Sequence, residues 1–179
     1  MATLSRPHPN CYWVEPGRLL AGEYPGAHDT PGARRKLGAL LDAGLTYFLD
    51  LTDPADPLLP YAPLLFEEAG ARGLSATYTR LSIPDMGVPA APAQMRHILE
   101  ALDQAQAAGQ PAYVHCWGGI GRTGTVVGCY LVHRGLTGEA APARLAAWWR
   151  TVPKSALYPR SPQTDEQVAY VLGWREPAA

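Results

Sequence analysis

The sequence predicts an α/β fold in which a central, mainly parallel sheet is flanked by helices on both faces. Three observations carry that prediction. Short β-rich runs alternate with segments of helical period along the chain. Helical segments stop at glycines and strands at proline-containing turns. At 179 residues the chain suits one hydrophobic core, so residues 1–179 are expected to form a single domain.

In chain order, residues 12–14 and 18–22, separated by Pro16-Gly17, read as an edge hairpin. Pro31 suits a first helical turn, and Leu37, Leu40 and Leu41 keep helical spacing until Gly44. Residues 47–51 form a short strand that ends at Asp53-Pro54. Residues 60–73 return as a helix with Leu64, Leu65 and Ala69 on one face. A second parallel strand, 77–83, ends in Pro84-Asp85-Met86-Gly87, and Met95, Ile98, Leu99 and Leu102 mark a helix over 92–108. Residues 111–115 are a third strand, 126–132 a buried helix, and two further helices are expected over 138–152 and 162–175. Ligands of such sheets bind beyond the carboxyl ends of the strands, so the segment after His115 is the first place to look for chemistry.

Composition removes several function classes. Fifteen Lys and Arg face 16 Asp and Glu, a net charge of −1, which argues against nucleic-acid or anionic-membrane binding driven by bulk charge. No apolar run is long enough to span a bilayer, and residues 1–10 lack a signal core, so a soluble cytoplasmic protein is expected. Cys11, Cys116 and Cys129 form no CxxC pair and suit neither a disulfide scaffold nor a zinc site, so no metal or cofactor is expected. Thirteen arginines against two lysines, with abundant Ala, Gly and Pro, suggest GC-rich coding of a bacterial kind.

The chemistry concentrates in the run from His115 and Cys116 through Trp117, Gly118, Gly119, Ile120 and Gly121 to Arg122 and Thr123. Three glycines in four positions let successive backbone N–H groups turn around one centre at a helix N-terminus, a nest for a tetrahedral oxyanion such as phosphate, sulfate or vanadate. Inward amides, the helix dipole and the Arg122 guanidinium favour the Cys116 thiolate. Arg122 offers a planar fork for two phosphoryl oxygens, which a lysine cannot reproduce. The Thr123 hydroxyl can hydrogen-bond the sulfur as it leaves.

This run resembles the signature loop of the protein tyrosine phosphatase superfamily, dual-specificity members included. The resemblance extends to Ile83-Pro84-Asp85-Met86-Gly87, 31 residues before the cysteine, which looks like the family's general-acid loop. Gln163-Thr164-Asp165-Glu166-Gln167 is similar to its glutamine loop. It implies a cysteinyl-phosphate mechanism with Cys116 as nucleophile, Arg122 on the phosphate, Asp85 as acid and then base, and Gln163 orienting water. Residues 163–167 equally suit the acidic first turn of a helix. The match is strongest over 77–170 and loose over the first 45 residues.

Plainer roles suit other residues. His115 is expected to order the loop, Cys129 to be an inert core thiol, and Trp148 and Trp149 to pack. Cys11 is open, Asp50 supports the loop or caps a turn, and Arg160 either adds positive potential or is merely solvated.

Rival patterns fit less well. Gly119, Gly121 and Gly124 match a dinucleotide-binding spacing, but no strand-ending acid stands near twenty residues on, and no Walker lysine is present. Sulfur-transfer and arsenate-reducing enzymes predict neither Asp85 nor Gln163. A non-catalytic phosphate-binding module would be marked by loss of Cys, Arg or Asp, yet all three are present. The signature loop carries no basic residue between Cys116 and Arg122 to meet the extra phosphates of an inositol lipid, while Tyr12, Trp13, Tyr24, Trp117 and Tyr158 could stack on a phenol ring. The expected partner is therefore a phosphorylated protein or peptide.

Overall fold

The computed structural model describes residues 4–137 and 139–175. The expected helix start at 138 and the first three residues lie outside them. Five strands, β1 (Cys11–Glu15), β2 (Leu19–Gly22), β3 (Tyr47–Asp50), β4 (Thr77–Arg80) and β5 (Ala112–His115), form one sheet in the order β1-β2-β5-β3-β4. Only β1 runs antiparallel to its neighbour; the other pairings are parallel. Among the described residues the α-helices are α1 (Thr30–Asp42), α2 (Ala62–Ala71), α3 (Pro92–Ala107), α4 (Gly121–His133), α5 (Ala140–Trp149) and α6 (Asp165–Gly173).

The period of two along each strand divides the core. Leu20, Phe48 and Tyr113 face α1 and α2, where Leu37, Leu40, Leu41 and Leu65 cover them. Their neighbours Leu19, Leu49 and Val114 face the other way, onto Ile98, Val126, Leu145 and Val171 of α3 to α6. Both faces are thereby closed, as a parallel sheet requires. Burying each such leucine is worth about 1.5–3 kcal/mol.

Four boundaries differ from the sequence expectation. The hairpin at 12–22 supplies an edge only through β1, because β2 also pairs with β5 and lies inside the sheet. β4 closes at Arg80 rather than at residue 83, although Leu81 and Ile83 still donate to Asp50 and Leu51 carbonyls (2.9 and 3.0 Å). The chain therefore stays alongside β3 up to the acid-loop turn. α4 begins at Gly121, five residues before the expected start, because the Gly124 N–H already reaches the Ile120 carbonyl and the Thr125 hydroxyl the Gly121 carbonyl. Arg122 and Thr123 thus belong to the first helical turn. α6 starts behind Thr164, whose side chain and that of Gln167 form a reciprocal capping box.

Register aligns the chemistry. Gly22, His115, Asp50 and Arg80 are partners across one row at the carboxyl ends of β2, β5, β3 and β4. The segments after each of them converge on one side of that row.

Candidate active site

Cys116 comes directly after His115 and is almost fully buried. The loop it opens is held from outside through its carbonyls. His115 Nδ1 donates to the Cys116 carbonyl (3.0 Å), the Tyr24 N–H to that of Trp117 (2.9 Å), Lys154 Nζ to that of Gly118 (3.2 Å) and the Ser161 hydroxyl to that of Ile120 (2.7 Å). The N–H groups of residues 117–121, in contrast, have no acceptor among the described residues. Buried donors without acceptors are rare in folded proteins. A run of them is what an oxyanion site requires. Gly119 has φ +74°, and a Cβ there would stand 2.5 Å from the Gly22 carbonyl carbon. No other residue fits at that position.

Arg122 is 1% exposed, and its guanidinium is fixed from two loops. Nη1 donates to Asp56 Oδ2 (2.7 Å) and to the Ile83 carbonyl (3.1 Å). Nη2 lies 2.8 Å from Asp85 Oδ1, a charge pair without hydrogen-bond alignment, and both Nη2 and Nε lack an aligned acceptor. Burial disfavours the charge, but Cys116, Asp56 and Asp85 outweigh it and hold the guanidinium pKa above its ordinary value. The Thr123 hydroxyl, wholly buried, also has no hydrogen-bond partner among the described residues. The site therefore presents unsatisfied donors of three kinds around the cysteine.

His115 orders this loop. A carbonyl only accepts, so Nδ1 carries the proton towards the Cys116 oxygen, and Nε2 accepts from the Tyr61 hydroxyl at 2.7 Å. Burial lowers its pKa despite the adjacent Asp50 carboxylate, which leaves the ring neutral. Asp50 has the turn role and also ties β4 to β3: it accepts from the Thr52 N–H (2.8 Å) and hydroxyl (2.6 Å), from the Tyr78 hydroxyl (2.7 Å) and from Arg80 (3.2 Å). Burial would raise its pKa, but the hydrogen bonds from Thr52 and Tyr78 favour the carboxylate and the pKa is lowered.

Gln163 stands half-buried just before α6, and its carbonyl accepts from Arg160. The second glutamine of that segment has the larger structural part. Gln167 is buried, accepts the Gln163 and Thr164 N–H groups (3.1 Å each) and donates to the Gly87 carbonyl (2.9 Å). A Cβ on Gly121 would meet it at 2.8 Å. One side chain therefore joins α6, the loop bearing Asp85 and the start of α4. The Thr-x-x-Gln capping pattern was the available sequence signal for it.

Asp56 and Lys154 carried no sequence signal. Of the expected aromatic rim, Trp117 and Tyr158 are exposed, but Tyr12 is buried and stacked on Trp148, so it cannot meet a substrate ring. Cys129 is buried in α4, and Cys11 donates to the His8 carbonyl, its pKa raised to about 11 by burial. Arg160 is exposed and paired with Asp165 at 2.7 Å. Among the described residues no group of three His, Cys, Asp or Glu side chains could hold a metal ion, and no helix is long and apolar enough to cross a membrane.

Residues 8–171 match the family model of the Swiss Army Knife protein DSP-PTPase phosphatase domain, PTP-SAK. The chain belongs to that phosphatase family. The match reaches back to residue 8, so the amino-terminal hairpin, only loosely recognisable from sequence, is part of the PTP-SAK domain. The chain is also similar to the human tyrosine-protein phosphatase non-receptor type 18, at 30% identity over 92 residues, which is 51% of this chain and 20% of that protein. Among solved structures, Tk-PTP in its active form superposes with a TM-score of 0.66 at 24% identity, covering 91% of this chain and 94% of that one. PTPMT1 in complex with PI(5)P gives 0.65 at 21% identity, covering 90% and 92%. These likenesses establish the fold.

Proposed function

We propose that this PTP-SAK domain is a cysteine-dependent phosphomonoester hydrolase of the protein-tyrosine or dual-specificity kind, acting in the cytoplasm on phosphorylated protein or peptide. The observation that carries the reading is the loop 117–121, whose carbonyls are bound from outside while its N–H groups stay unpaired around Cys116 and Arg122.

In the first step Cys116 Sγ attacks phosphorus. The phosphate takes over Arg122 Nη2 from Asp85, the loop N–H groups hold its remaining oxygens, and Asp85, released from the guanidinium, takes up a proton from solvent and passes it to the leaving oxygen. In the second, water positioned by Gln163 attacks the cysteinyl phosphate, Asp85 accepts its proton, and the Thr123 hydroxyl takes the departing thiolate. Gln167, through the Gly87 carbonyl, ties the acid loop to α6. A phenolate is a better leaving group than an alkoxide, so phosphotyrosine should be cleaved faster than phosphothreonine.

A panel of phosphotyrosine, phosphothreonine and phosphoinositide substrates, compared by kcat/KM, tests this. The tyrosine peptides should lead. A phosphoinositide ahead by tenfold, about 1.4 kcal/mol, would reassign the substrate. Phosphate binding without any turnover would mark a non-catalytic module.

A further inference from the structure

A cavity of about 340 Å³ opens beside the phosphate loop and shares Trp117 with it as a wall. Both lysines of the chain line this one cavity, although thirteen arginines are spread over the rest. Lys36 comes from α1 and Lys154 from the short 3-10 turn Pro153–Ala156, with the Glu23 carboxylate between them at 2.7 and 2.5 Å. Burial would raise the Glu23 pKa, but the bonds from Lys154 and Lys36 outweigh it and lower it.

Each ammonium has three N–H donors. Lys36 spends a second on the Tyr24 carbonyl (3.3 Å) and Lys154 on that of Gly118 (3.2 Å), which leaves one donor on each without a partner among the described residues. The lysine side chains are 32% and 27% exposed, against 13% for Glu23. The two lysine side chains are thus more open to a ligand than the carboxylate between them. Glu23 and Asp29, both in the wall, set a limit on its charge. A single carboxylate meets about half the repulsion from these acids that a phosphate dianion would. Leu58, Leu59 and Trp117 add apolar surface suited to a short methylene stem.

The position relative to the chemistry selects the source of that carboxylate. Lys154 holds the Gly118 carbonyl, two residues beyond Cys116, and Trp117 belongs to both sites. A group bound here is within reach of a molecule whose phosphate sits in the loop. We infer that the cavity receives the carboxylate of an acidic side chain flanking the phosphorylated residue of a peptide substrate, held by the remaining N–H donors of Lys36 and Lys154. This rests on the phosphatase reading. It also supplies, from α1 and the 153–156 turn, the basic groups that the signature loop lacks.

The experiment compares phosphotyrosine peptides that differ only by Glu or Gln at each flanking position, on the wild type, Lys36→Gln and Lys36→Arg. In the wild type at low salt the Glu peptide should be favoured about three- to tenfold in kcat/KM at one position, and the ratio should shrink as salt rises. Lys36→Gln should bring the ratio towards one, and Lys36→Arg should keep most of it. Equal rates on the acid and amide peptides, or a preference that survives Lys36→Gln, would overturn the inference while leaving the phosphatase reading intact. So would a polyphosphorylated inositol headgroup that outcompetes the acidic peptide in a Lys36-dependent way. If the wild type hydrolyses neither the peptides nor p-nitrophenyl phosphate, the phosphatase reading itself fails. Calorimetric binding of the two peptides to Cys116→Ser then decides the cavity separately: a Glu preference supports it, and equal affinity ends it.

Discussion

Two segments bring a carboxylate to Arg122, and they do so differently. The turn after β3 buries Asp56 to 7% side-chain exposure and joins it to Nη1 through an aligned 2.7 Å bond. The turn after β4 leaves Asp85 51% exposed, at 2.8 Å from Nη2 but unaligned, next to Met86 with φ +60°. A buried, aligned ion pair is costly to break because each charge would be left without its partner. An exposed one is worth little and can be exchanged. The arginine thus has one fixed anchor, which aims it, and one replaceable partner, which in the proposed mechanism a phosphate displaces and which then gives and takes a proton.

Variants of the three residues should separate these parts. Asp85→Asn removes the proton donor and should cost about 10² to 10⁴ in rate. It should also flatten the alkaline limb of the pH–rate profile, where activity falls as the acid loses its proton; an unchanged profile would place the acid elsewhere. Arg122→Lys keeps the charge but loses the fork shared by phosphate and Asp56, for an expected loss of about 10² to 10³ in kcat/KM. Near wild-type turnover in that variant would rule out the bidentate contact. Asp56→Asn retains an acceptor for Nη1 and should cost only about tenfold, roughly 1.4 kcal/mol, with the alkaline limb unmoved. If that limb shifted instead, Asp56 rather than Asp85 would be the titrating group.

A further expectation concerns stability rather than rate. Burial lowers the pKa of His115, and that of His8 from 6.5 to about 4. The unfolded chain takes up protons below pH 6.5 that the folded chain refuses, so this stabilisation is complete above that pH and is lost as pH falls towards each folded value. For His8 the shift corresponds to about 3 kcal/mol. Thermal unfolding measured from pH 7 to 4 should show the loss, and His8→Gln should reduce it. A flat profile would mean that these rings are not buried neutral.

The same contrast governs what the sequence disclosed. Cys116, Arg122 and the glycines between them lie within seven residues, and their spacing states a nest at a strand end whatever the rest of the chain does. Asp85 was singled out by the resemblance of residues 83–87 to the family's general-acid loop, since its turn alone marks no acid. Alternation of strands and helices likewise revealed the sheet and both of its covered faces. Asp56 was not legible: it comes to Arg122 across 66 residues, in a stretch that reads as an ordinary Asp-Pro turn. Lys154 reaches the loop across 36 residues from a 3-10 turn with no hydrophobic period to announce it. Tyr12 was misplaced because β1 is an edge strand whose aromatic faces α5, and propensity does not say which side of a strand is buried. Local chemistry could be read from local sequence, whereas the groups that aim it depend on the register of distant strands.

In the proposed mechanism Cys116 becomes covalently phosphorylated during turnover. Wild-type protein mixed with an aryl phosphate and acid-quenched within the first turnovers should show, by intact-mass and peptide analysis, one added phosphoryl group on the peptide containing Cys116. Asp85→Asn and Gln163→Ala, which slow the second step, should raise its occupancy wherever phosphorylation remains the faster step, and Cys116→Ser should abolish turnover. Steady phosphate release with no adduct on Cys116, or turnover that persists in Cys116→Ser, would contradict a cysteinyl-phosphate mechanism.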